Sequence, residues 1–195
     1  RQDKRLLTAV DDVSLHIEKG ETYALVGESG SGKSTIAKIL VGLMTPTAGD
    51  VIIDGQRLTV GGSGPDARAL RRRLQMVFQS PYASLNPRWK VGSLIGEPLK
   101  AFGLIDGKKE QERRVHALLE MVGLAARDAD RYPHEFSGGQ RQRICIARVL
   151  ASEPEIIVCD EPTSALDVSV QAQVLNLLRD LQSDLGLSYL FITHD

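Results

Sequence analysis

The chain has 195 residues, 42% hydrophobic and 25% charged, with a formal net charge of -1. That suits one globular domain with a core of its own, and gives no electrostatic case for nucleic acid or an anionic membrane surface. No segment reads as a signal peptide, and no apolar run nears the roughly 18 residues of a membrane span, so any membrane crossing belongs to another chain or domain. Cys145 and Cys159 sit inside apolar runs and read as buried free thiols in a reducing compartment.

Residues 8–17 alternate, with Val13, Leu15 and Ile17 on one face and Ser14 and His16 on the other, which predicts a half-buried strand ending at the Gly20 turn. A second strand, TYALV, runs into a glycine-rich stretch, and a helix follows from Lys33. Asp54-Gly55 between DVII and QRL predicts a hairpin, and GGSGP from Gly61 a flexible loop. Arg71, Arg72 and Arg73 read as a solvated helix face. From Pro81 to Ser152 the apolar spacing is helical, as at Val115, Leu118, Leu119 and Val122, which predicts a helical insertion. The α/β pattern then resumes with strand IIVC, a helix over 168–185 and strand YLFI. On that helix Val170, Val174, Leu177, Leu178, Leu181 and Leu185 form a packing stripe.

Apolar strands of this kind are buried on both faces of a parallel sheet. Each ends in polar residues: the glycine loop, Gln79, Asp160-Glu161 and Thr193-His194. Ligands of open α/β sheets bind at the carboxyl ends of strands, so four strands deliver polar groups to one edge.

GESGSGKST comprises Gly27, Glu28, Ser29, Gly30, Ser31, Gly32, Lys33, Ser34 and Thr35, and it matches the phosphate-binding pattern G-x-x-x-x-G-K-[ST]. Glycines let backbone N–H groups turn inward around a phosphate chain, and the following helix adds its positive end. Lys33 is placed to reach the β and γ phosphates, and Ser34 to offer a hydroxyl to Mg²⁺. Asp160 is the expected magnesium carboxylate, acting through water, and Glu161 the expected general base for an attacking water. Ser137 with two glycines at a helix start is a second anion site by the same logic; a plain helix cap is the alternative.

FSGGQRQR, Phe136 to Arg143, together with the phosphate loop resembles the signature of ABC ATPases, usually LSGGQ, with Phe136 in place of leucine. Gln79 fits the family's glutamine loop, SALD (Ser164 to Asp167) its D-loop, and His194 its switch histidine. VFQSPYASLNPR and the long run from RYPHEFSGGQ onward are similar to the ATPase subunits of oligopeptide, dipeptide, nickel and glutathione importers. The resemblance implies an α/β fold: a P-loop NTPase (RecA-like) core with a mostly parallel sheet, an N-terminal antiparallel β part and an inserted helical subdomain. Residues 1–80 and 153–195 would form the core, and 81–152 the helical part.

It further implies that ATP with Mg²⁺ lies between the phosphate loop of one chain and Ser137, Gly138, Gly139, Gln140 and Asp167 of a second, head to tail. Gln79 would join the metal ligands, and Gln79 and His194 would assist Glu161. The implied partners are a second ATPase domain, identical or paralogous, transmembrane permeases and, indirectly, a solute-binding protein, on the cytoplasmic face of the membrane. No nucleic acid is expected. The alternative is a soluble ABC ATPase acting on DNA or ribosomes, though no sustained heptads interrupt residues 33–160. A binding-only module is disfavoured by Glu161 and His194, and a GTPase by the lack of N-K-x-D. The family's adenine-stacking aromatic has no counterpart in residues 1–22, and the chain reads as a domain cut at both ends.

Overall fold

The computed structural model describes residues 8–58 and 65–194. Its centre is a parallel sheet of β1 (Thr22–Val26), β4 (Leu74–Val77), β5 (Ile156–Asp160) and β6 (Ser188–Thr193), in the spatial order β1-β6-β5-β4. Side chains alternate across it with period two. Ile157, Cys159 and Tyr189 enter one core, with Val77, while Val158, Leu190 and Ile192 enter the other, with Met76. The first core is closed by helices α4 (Val91–Ala101), α5 (Lys108–Met121), α6 (Gly138–Leu150) and α7 (Val168–Leu185). On the opposite face lie α1 (Lys33–Leu40), α2 (Pro65–Arg73) and the antiparallel pair β2 (Ile52–Ile53) and β3 (Gln56–Arg57). Asp54 and Gly55 turn this hairpin with φ of 47° and 74°, the two left-handed positions a tight hairpin needs.

Between β4 and β5 every described element is helical, beginning with α3 (Pro81–Ser84), and Val115, Leu118, Leu119 and Val122 are all buried as their spacing predicts. Helix α7 starts at the Asp167 cap, whose Oδ1 accepts the Val170 N–H at 3.0 Å, and stops at left-handed Gly186. Cys145 and Cys159 are buried free thiols, and burial pushes them up to about 11 and about 12. No helix among the described residues is long and apolar enough to cross a membrane.

Four expectations are corrected, and the GGSGP loop lies mostly outside the described residues. Residues 8–17 form no strand: nothing described pairs with them, Asp12 turns at φ 45°, and Val13 is 54% exposed. Ile17 alone of that face packs against a core. Strand β1 is covered on one face only. Among the described residues it pairs on one side only, with Tyr23 and Leu25 inward and Thr22, Ala24 and Val26 exposed. Leu185 leaves the α7 stripe, 47% exposed in the last turn. The arginine cluster is no simple solvated face, for Arg73 bonds Glu155 at 2.7 Å and pairs with Asp54, while Arg72 reaches Glu153 at 3.2 Å.

Candidate functional site

The carboxyl ends of all four parallel strands face one edge, because β1 and β5 both pair parallel with β6, and β4 pairs parallel with β5. Gly27 to Gly32 connect β1 to α1 there. Gly32 takes φ 94° at the helix start, and a Cβ on it would lie 2.4 Å from the Ala9 carbonyl oxygen, so only glycine fits. Lys33 is buried at 7% exposure. Its Nζ donates to the carbonyls of Gly27 at 2.6 Å and Glu28 at 2.7 Å, which curls the loop around the ammonium.

Ser34 Oγ donates to Asp160 Oδ1 at 3.1 Å, joining the first turn of α1 to the end of β5. Asp160 is 7% exposed. Burial raises its pKa above the ordinary aspartate value; the Ser34 bond opposes this and the neighbouring Glu161 charge adds to it. Hydroxyl and carboxylate oxygens side by side, next to a phosphate-type loop, are a hard-ligand pair of the kind magnesium accepts. Among the described residues no group of three His, Cys, Asp or Glu is gathered as a metal site.

Glu161 follows directly, in a left-handed conformation at φ 45°. Its N–H donates to the Ile192 carbonyl at 3.0 Å, fixing the residue to β6. Two side chains converge on its Oε2: Gln79 Nε2 donates at 3.1 Å, and His194 Nδ1 lies at 3.2 Å. The predicted Gln79, Glu161 and His194 therefore meet, contributed by the ends of β4, β5 and β6.

The other predicted residues stay apart from this cluster. Ser137 caps α6, its Oγ accepting the Gln140 N–H at 3.3 Å while Gln140 Oε1 accepts the Ser137 N–H at 3.0 Å. Asp167 Oδ1 accepts from Ser169 Oγ at 2.7 Å and from the Val170 N–H, and these bonds hold its carboxyl below the usual range. Among the described residues the hydrogen bonds of Ser137, Gln140 and Asp167 remain within their own turns. The two turns abut: a Cβ on Gly139 would meet Val170 Cγ1 at 2.3 Å, and one on Gly138 would meet Leu166 Cδ2 at 3.4 Å. Sequence reasoning missed this contact and the arginine bracing ahead of Ser137. A small residue at a helix start was the one available signal.

A family model described as ABC transporter matches residues 10–164. A Brucella abortus (strain 2308) protein named for peptide import and ATP binding is 58% identical over 97% of this chain and 57% of its own length. The oligopeptide transport ATP-binding protein OppF of Bacillus subtilis (strain 168) is 56% identical over 96% of this chain and 61% of its own. The glutathione import ATP-binding protein GsiA of Escherichia coli (strain K12) is 54% identical over 98% of this chain and 30% of its own. The chain thus spans about three-fifths or less of these relatives. Among solved structures, a dimeric ATP-binding cassette in a post-hydrolysis state with ADP and Pi superposes with a TM-score of 0.85 at 34% identity, over 100% of this chain and 84% of that one. CbiO1 of Clostridium perfringens, part of the ABC transporter complex cbiONQ, gives 0.82 at 30% identity, over 96% and 72%. With the family model matched over most of its length and relatives of more than half identity, the chain belongs to the ABC transporter family.

Proposed function

We propose that the chain binds and hydrolyses ATP to drive import of peptides or related small solutes through membrane-spanning partners. The observation that carries the reading is the Glu161 carboxylate held by Gln79 and His194, one residue from the Ser34–Asp160 pair and on the same edge as Lys33. In this reading Lys33 and backbone N–H groups of Gly27–Thr35 would bind the β and γ phosphates. Ser34 and Asp160, with Gln79, would hold Mg²⁺, which supplies charge neutralisation between those phosphates. Glu161 orients a water and takes its proton as the water oxygen bonds the γ phosphorus and the bond to the β-phosphate oxygen breaks. His194 and Gln79 keep the carboxylate aimed. Their bonds to one oxygen, Oε2, leave Oε1 for the water.

Ser137, Gly138, Gly139 and Gln140, with Asp167, would meet the γ-phosphate of a nucleotide held by a second chain. The α6 N-terminus supports this, since its first N–H groups and positive dipole end attract an anion. Core 1–80 and 153–195 would then hold the nucleotide, and 81–152 would answer to it. A cleft of about 730 Å³ beside α4, lined by Arg88, Trp89, Lys90, Lys100 and Tyr132 among others, suits a permease segment at the membrane's cytoplasmic face.

The test is complementation between chains. Lys33→Ala and Ser137→Arg each spoil both sites of a homodimer, yet a mixed dimer retains one site with intact Lys33 and Ser137. Mixing the two in full-length protein should restore ATP-dependent dimerisation that neither shows alone. No restoration, from a parent that dimerises readily, sinks the shared site. A parent that never dimerises moves the test to a paralogous partner.

A further inference from the structure

The four residues ahead of Ser137, Pro133 to Phe136, are braced by two arginines. Arg141, on α6 itself, donates through Nε to the Pro133 carbonyl at 2.7 Å and through Nη2 to the His134 carbonyl at 3.3 Å. Arg131 donates through Nη2 to the next carbonyl, Glu135, at 2.7 Å and through Nη1 to Asp128 Oδ1 at 3.1 Å. Its guanidinium also lies over the Phe136 ring, 4.3 Å from the centroid, and that ring is 3% exposed. One planar fork thus grips the carbonyl two residues before Ser137, the ring one residue before it, and the turn upstream. A lysine has neither the fork nor the flat face for this, and a leucine at 136 offers no π surface.

The backbone of the same residue ties in a second element. The Arg131 carbonyl accepts the N–H of Val91, first residue of α4, at 2.9 Å, and Lys90 reaches Asp130 at 3.2 Å. Helix α4 is the next long element after Gln79. Arg131 is therefore the joint between the entry of α4 and the turn that carries Ser137.

We propose that Arg131 is a positioning residue for the signature half-site: it fixes the aim of the α6 N-terminus, through Phe136 and Glu135, at a nucleotide held by a second copy of the chain. This rests on the shared-site reading above. It requires that losing Arg131 leave the chain's own phosphate loop intact and weaken only what the chain offers its partner.

The experiment uses full-length protein in a Glu161→Gln background, so that ATP-bound dimers accumulate. Arg131→Met keeps the stem and removes fork and charge; Arg131→Lys keeps the charge alone. Each is measured for thermal unfolding, ATP affinity of the monomer and ATP-dependent dimerisation by light scattering. Monomer affinity should match the parent, while dimerisation weakens at least about tenfold, the scale of losing one charge-assisted hydrogen bond. Mixed with Lys33→Ala, Arg131→Met should recover dimers; mixed with Ser137→Arg it should not, since both chains then lack a working signature. Parent-like dimerisation, or monomer affinity falling as in Lys33→Ala, overturns the proposal. If the methionine variant does not fold, the lysine variant decides, and its failure to fold would make the role one of general stability and overturn the proposal too. The control pair separates the two ideas. If Lys33→Ala with Ser137→Arg restores nothing, the shared site falls and this proposal with it. If the control works while Arg131→Met pairs equally with both testers, this proposal falls alone.

Discussion

Replacing Glu161 by glutamine should abolish turnover without loosening the fold or nucleotide binding. Oε2 accepts from Gln79 at 3.1 Å and faces His194 Nδ1 at 3.2 Å, and the side chain is 17% exposed. A glutamine can turn its carbonyl oxygen to the same two donors. What it loses is charge assistance, a difference of about 1 kcal/mol per bond at most and less here because His194 is 54% exposed. A domain of this size is stable by roughly 10 kcal/mol or more, so the variant stays folded. On the proposed reading the chemical step loses its base. General-base catalysis contributes about 10²–10⁴ in rate, or roughly 3–5 kcal/mol of barrier. The assay is steady-state phosphate release alongside ATP affinity and thermal unfolding of the same preparation. Hydrolysis within a few-fold of the parent refutes the assignment of the base. A collapse of unfolding temperature together with rate refutes the argument that the two donors tolerate an amide.

Lys33→Ala should weaken ATP binding itself, because its ammonium is the buried cation of the loop; unchanged affinity by calorimetry would remove the loop from the phosphate site. Asp160→Asn should raise the unfolding temperature of nucleotide-free protein at neutral pH while impairing magnesium-dependent hydrolysis. The folded pKa of Asp160 is raised, so its penalty is absent below the ordinary value of 3.8, grows as pH rises through the raised value and is complete above it. The gain should therefore vanish in urea melts near pH 3, and a gain independent of pH would contradict the burial argument. Gly139→Ala should destabilise the chain by up to about 2 kcal/mol, an overpacking cost of about 1–3 offset by up to about 1 of helix propensity. Adding Val170→Ala, which clears the atom that the new Cβ would meet at 2.3 Å, should recover most of the loss. A single variant as stable as the parent would show that this contact is loose.

Most of the scaffold was legible because its signals are local. Strands β4, β5 and β6 read as apolar runs, and α7 began and ended where Asp167 and Gly186 indicate. The gathering of Gln79, Glu161 and His194 followed from one inference, that parallel strands share a carboxyl edge. What could not be read depends on partners far along the chain. The alternation at 8–17 resembles a strand, but nothing pairs with it among the described residues. The exposed face of β1 reflects which packing reaches it: Tyr23 and Leu25 meet one buried cluster, while no β1 residue joins the other, and five residues cannot announce that. Arg72 and Arg73 look like a solvated cluster until Glu153 and Glu155 arrive from the other side of the helical segment. Arg131 carries no mark in the sequence, since its value lies in carbonyls and a ring that only the folded turn brings under it.

The strand order also sets the sequence in which this protein can be built on a ribosome. The sole described sheet neighbour of β1 is β6, which pairs with it from Thr22↔Tyr189 to Val26↔Thr193, and nearly the whole described chain lies between them. As the polypeptide emerges, the glycine loop and Lys33 are made well before β6 and wait beside a strand with no described ladder to join. The helices between β4 and β5 touch mostly one another and can settle in the meantime, because nearby contacts close quickly and distant ones slowly. When β6 arrives it enters between β1 and β5, and in doing so it delivers His194 and anchors Glu161 through the Ile192 carbonyl. A nascent chain arrested before Ser188 would carry every residue of the glycine loop and still lack the frame that aims them. On the proposed reading, nucleotide could not guide folding before β6 is made, and the capacity to hydrolyse it would come with the insertion of that strand.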